Sequence, residues 1–210
     1  MRALVPLLIA ALPAWADTGP SATMGICHSV AEPGEIHRAL RAEGWSEVTR
    51  GEEAAFAETL AAGMTIALNN ALAADVDWEE IRSDSDDLAQ TMLRSSSQGA
   101  PLRLYRAQGA ALSVFRGDDD GRGYIHCLYA GPSDETTRAL MKVNARIDAA
   151  AGRRSRNEEF RTYTFRRNGR EGPIGEIDMQ VSIYNDPGTP VAGEVPEVEL
   201  GFSSYSFPAR

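Results

Sequence analysis

Apolar residues recur along this chain with two different periods, and the change from one to the other divides it. In the first half they return every three or four positions, the spacing of a helix face. Ile36, Ala39 and Leu40 share one face of a short helix that Pro33-Gly34 opens and Gly44 stops. Trp45 follows at once and is predicted to pack back on that helix. From Glu52 to Ala74 the residues Phe56, Leu60, Met64 and Ala67 keep helical spacing, with Glu52 and Glu53 in the first turn. Gly63 costs such a helix about 1 kcal/mol relative to Ala. Met64, Ile66 and Leu68 also alternate, so a helix followed by a strand is the competing reading. A further helix is predicted from a Ser83-Asp84 cap to about Ser96, with Leu88 and Met92 on its apolar stripe.

From Leu102 the period becomes two. Leu102 and Leu104, then Ala110, Leu112 and Val114, flank Gln108-Gly109 as a hairpin. A polar turn, Arg116 to Gly123, leads into a buried strand at Tyr124–Ala130. Next comes the strongest helix signal in the chain, with Ser133 as N-cap, Leu140, Val143 and Ile147 on one side, and Gly152 at its end. Three more strands are predicted. Tyr163 and Phe165 alternate in the first, and Asn168-Gly169 begins the turn out of it. Ile177, Met179, Val181 and Ile183 line one face of the second. The last, Glu197 to Phe207, changes parity, which predicts a bulge near Ser203-Ser204.

This succession, ααα-βββ-α-βββ, implies an α+β fold in which the N-terminal helical half packs on one face of an antiparallel sheet. Residues 17–210 are expected to form one domain, helical over about 33–97 and β-rich over about 102–207. Asp17 to Gly25 is small and polar and reads as a loose lead-in.

The first sixteen residues add a destination. Arg2, the short apolar run Leu4–Leu12 and Ala14-Trp15-Ala16 have the layout of a cleavable signal peptide. No later segment is long and apolar enough to span a bilayer. The expected location is the periplasm or the secreted fraction. Lys142 as the sole lysine in an Ala- and Arg-rich chain suits a bacterial envelope. A formal charge of −9 makes nonspecific nucleic-acid binding unsuitable.

An oxidising compartment turns the two cysteines, Cys27 and Cys127, into an expected disulfide that ties the helical half to the β-rich half. The alternative, a metal held by Cys27-His28 and His126-Cys127, is poorly arranged, since neighbours along a strand point to opposite faces. No metal or other cofactor is therefore expected. Asp118-Asp119-Asp120 and the Asp84, Asp86 and Asp87 group lack the spacing of a calcium loop. Arginines gather between Arg153 and Arg170 on an otherwise acidic chain, and guanidinium groups suit carboxylate and phosphate. Arg161, Arg166 and Arg167, with His126, are the candidate ligand-binding residues, although Arg161 and Arg166 have opposite strand parity.

No nucleophile elbow, metalloprotease helix or phosphate-cradling Gly loop is present, so no catalytic residue is assigned. The expected function is binding, of an envelope protein, a peptide or a small anion. The alternatives are a periplasmic hydrolase using a histidine beside the disulfide, and a structural component of the envelope.

Overall fold

A computed structural model of the chain describes residues 18–29, 32–69, 78–119, 121–150, 162–184 and 198–208. Among these residues five helices and seven strands follow one another as α1 (Pro20–Ser29), α2 (Pro33–Ala42), β1 (Ser46–Glu47), α3 (Glu53–Asn69), α4 (Trp78–Ser97), β2 (Leu102–Ala107), β3 (Ala110–Asp119), β4 (Arg122–Gly131), α5 (Glu135–Ala150), β5 (Thr162–Gly172), β6 (Gly175–Tyr184) and β7 (Leu200–Pro208). The strands form a single antiparallel sheet in the order β1-β2-β3-β4-β7-β6-β5. The two strand triplets are consecutive meanders that meet where β4 pairs with β7. The α+β class follows as expected. No helix among the described residues is long and apolar enough to cross a membrane.

The expectation that helices cover one face is corrected, because both faces carry them. Phe56, Leu60 and Ile66 of α3 and Ala89 of α4 bury Leu102, Leu104, Ala111, Leu128 and Ala130 on one side. On the other, Cys27 of α1 and Ile36 and Leu40 of α2 bury Leu112, Val114, Ile125, Tyr129, Val181 and Phe202. Strand alternation is what separates the two sets, since successive side chains of β3 and β4 leave opposite faces.

Several local expectations give way to tertiary contacts. The lead-in segment is helical as α1, held by three ties to the rest of the chain. Ser21 donates from its backbone and hydroxyl to Asp134 (2.8 and 3.0 Å), Ser206 donates to the Cys27 carbonyl (2.7 Å), and Cys27 bonds to Cys127. Helix α3 runs unbroken through Gly63 because glycine is what the packing requires. A Cβ at Gly63 would collide with the side chain and backbone of Ala130, and one at Gly201 with the Gly63 backbone. Helix α4 starts at Trp78, ahead of the expected cap, and Ser85 bonds back to the Ile81 carbonyl (2.8 Å) inside it. The N-cap of α5 is Asp134, not Ser133. Asp134 accepts from Thr137 N–H (2.7 Å) while Thr137 Oγ1 accepts from Asp134 N–H (3.1 Å). Ser133 donates instead to Glu199 (2.5 Å), which also accepts from Arg138 (2.7 Å).

The hairpin at Gln108-Gly109 forms as expected, with Gly109 at φ 68, and Trp45 docks under α2, its backbone N–H donating to the Leu40 carbonyl (3.0 Å). The expected bulge at Ser203-Ser204 is absent, because β7 keeps continuous register with both β4 and β6. Tyr205 and Phe207 thus lie on the α3 side of the sheet, where they meet other aromatic rings. The bulge lies instead at Asn168-Gly169, which does not begin the turn. Strand β5 continues to Gly172, and the pairing slips by one residue between Arg167 and Arg170.

Candidate functional site

Cys27 and Cys127 are joined, with Cα atoms 6.3 Å apart and both residues fully buried. The bond presses the C-terminal end of α1 against the sheet, and His28 follows in the next position. His28 there faces the far end of the β5–β6 hairpin, across a pocket of about 210 Å³. Arg170, Gly172 and Pro173 form its hairpin wall, and Ile177 and Met179 its floor.

The slipped register is what brings Arg170 to this place. Arg167 pairs with Met179, so an unbroken ladder would set residue 169 opposite Ile177. One extra residue in β5 sets Arg170 there instead, on the face of Ile177 and Met179. Gly169 supplies the left-handed conformation the bulge needs (φ 64), and its N–H is held by the Asp178 carboxylate (2.5 Å). Glu171 pairs with Glu176 in that register, and Glu176 binds Arg122 (2.8 Å) in the same row as Tyr124 and Phe207, on the α3 side. Strand parity thus places the Glu171 side chain in the α3-side row, although the residue borders the pocket.

His28 is kept neutral there. Burial first, and then the positive charge of Arg170, lower its pKa from 6.5 to about 4. Its Nε2 is buried and lacks a hydrogen-bond partner. Among the described residues Arg170 forms no ion pair.

His126, the other histidine beside the disulfide, lies on the opposite face. Its Nε2 is 2.8 Å from Ser203 Oγ, and its ring stacks on Tyr205 with centroids 4.0 Å apart. Burial lowers its pKa to about 4 as well. Tyr124 and Phe207 extend the ring cluster, and the Arg122 guanidinium lies 4.8 Å over Phe207.

Among the described residues, the backbone positions of Arg166 and Arg167 lie well apart from His126. His126 on β4 is separated from β5 by β7 and β6, roughly 14 Å at the usual strand spacing. Arg166 and Arg167 pair with Gln180 and Met179, and Arg161 lies outside the described residues. The thiolates of the alternative metal set are consumed by the disulfide, and its two histidines are on opposite faces. Asp118 accepts from the Gly121 N–H (2.9 Å) and so closes its own turn, while Asp84, Asp86 and Asp87 lie within α4.

Sequence reading weighed His28 only as a metal ligand or as a hydrolase histidine beside the disulfide, and left Arg170 unselected within the arginine group. The usable signal was Asn168-Gly169 between alternating runs, which fits a bulge as well as a turn. No family model, curated protein or solved structure matches the chain.

Proposed function

We propose that the chain is an exported protein that acts by binding a small anionic ligand between α1 and the β5–β6 hairpin. The observation that carries this reading is the pairing of an unsatisfied buried imidazole nitrogen with a guanidinium across one pocket. Arg170 supplies charge and a planar donor fork, and His28 in its Nε2–H tautomer supplies a third N–H. The disulfide holds α1 in place, and a bond of this kind suits an oxidising compartment. A thermal-shift panel of acetate, butyrate, phosphate and citrate tests the reading. A ligand at a hundred times its Kd adds about 2.7 kcal/mol of stability, and Arg170→Gln is expected to remove the shift. Equal shifts for both proteins would sink the assignment.

A second reading, hydrolysis at His126, has one observation in its favour, the 2.8 Å contact with Ser203 Oγ. Against it, β7 pairs with a strand on each side, so the N–H groups around Ser203 are committed to ladders and unavailable to an oxyanion. Turnover of an activated ester that disappears in Ser203→Ala would overturn the preference for binding.

A further inference from the structure

We infer that the pocket selects a monocarboxylate with a short aliphatic body, an inference that rests on the anion-binding reading and narrows it. Three features set the choice. The pocket presents one formal cation, Arg170, beside a neutral His28, while register sends the Glu171 side chain to the other face. One negative charge is thus matched, and a second would be desolvated without a partner. The donors suit carboxylate geometry, since a guanidinium edge and one imidazole N–H can saturate a carboxylate's near lone pairs. Nε2 is buried in this geometry, so a small turn of the His28 ring would bring this partnerless nitrogen to an acceptor seated there.

The floor and Pro173 are apolar. Ile177, Met179 and Pro173 offer no hydroxyl or amide side chain, so a polyhydroxylated acid would bury polar groups unpaired. Met179 adds a flexible, polarizable surface that adapts to an alkyl chain. At about 210 Å³ the space falls short of the roughly 300 Å³ at which pockets begin to enclose drug-sized molecules. The Gly169 bulge is a positioning device in this scheme, because it alone turns Arg170 toward the apolar floor.

Isothermal titration calorimetry of the exported, disulfide-bonded protein tests this with butyrate, succinate, phosphate and butyramide. Butyrate is expected to bind at least about tenfold tighter than succinate or phosphate, and butyramide to show no heat. Arg170→Gln is expected to lose at least about tenfold in butyrate affinity and Arg170→Lys less, since lysine keeps the charge but not the fork. Arg170 is exposed on a hairpin, so both variants should melt with the parent. His28→Gln, which keeps an N–H donor, should retain more affinity than His28→Ala. Phosphate or succinate binding as tightly as butyrate would overturn the selectivity and leave the anion site standing. Failure of every anion to bind would remove both readings, and full butyrate affinity in Arg170→Gln would move the site elsewhere.

Discussion

The two faces of the sheet treat the same kind of residue differently. His28 and His126 each sit next to a cysteine of the one disulfide, and burial lowers both to a pKa of about 4. On the α3 side, His126 is satisfied by the Ser203 hydroxyl and the Tyr205 ring. On the α1 side, His28 keeps a buried nitrogen without a partner, facing a guanidinium across a pocket. A shifted titration therefore does not by itself distinguish a structural histidine from a binding one. What separates the two histidines is the unmet hydrogen bond, since a buried donor or acceptor without a partner costs about 1–3 kcal/mol.

The strongest way to break the contrast is to release the latch on the α1 side. Replacing Cys27 and Cys127 together by Ala should lower unfolding free energy by about 2–4 kcal/mol, read from urea melts, and should abolish butyrate binding. Retained binding would show that α1 finds its place without the bond.

Acid should act on both faces together. The folded forms of His28, beside Arg170, and of His126, against Ser203 and Tyr205, are neutral. Between about pH 4 and 6.5 the unfolded chain therefore binds more protons than the folded one. Their contribution is complete above about pH 6.5 and is lost as pH falls toward 4. It is on the order of 3 kcal/mol for His126, to be measured as the pH dependence of urea unfolding. In His126→Phe the fall over this window should be visibly smaller.

Gly63→Ala sets two effects against each other on the α3 side. Helix propensity favours Ala by about 1 kcal/mol, but the added carbon meets the Ala130 backbone, and overpacking of this kind costs about 1–3 kcal/mol. A net destabilisation is expected by thermal melting. Ser203→Ala is expected to cost about 1–2 kcal/mol, since it leaves the buried His126 nitrogen unpaired. His28→Gln, which loses no existing hydrogen bond, should be close to neutral in the same melts.

Much of the fold was legible because its signals are local and periodic. Alternation in β6 marked Ile177, Met179, Val181 and Ile183 as one face, and these residues indeed lie on one side of the sheet. Gly44 and Gly109 marked a helix stop and a hairpin through the backbone conformations they permit. The errors fall where distant contacts overrule local preference. Helix α1 has little amphipathic pattern and exists through Asp134, Ser206 and Cys127. Gly63 reads as a helix breaker until the strand lying against it is known. The parity change before Tyr205 looked like a defect in one strand because the aromatic cluster on the second face, around Tyr124 and His126, was not foreseeable.

The sequence by itself determined the α+β class, the disulfide between its two cysteines, and the strand face that floors the pocket. Each depends on residue type and spacing within a short window, or on a choice with a single possible partner. Only the tertiary structure decided that helices cover both faces, that the two histidines part company, and that Arg170 joins His28. Those outcomes follow from strand parity, where one inserted residue at Gly169 reverses the face on which every later side chain of β5 lies. The composition of a turn does not reveal whether it adds that residue.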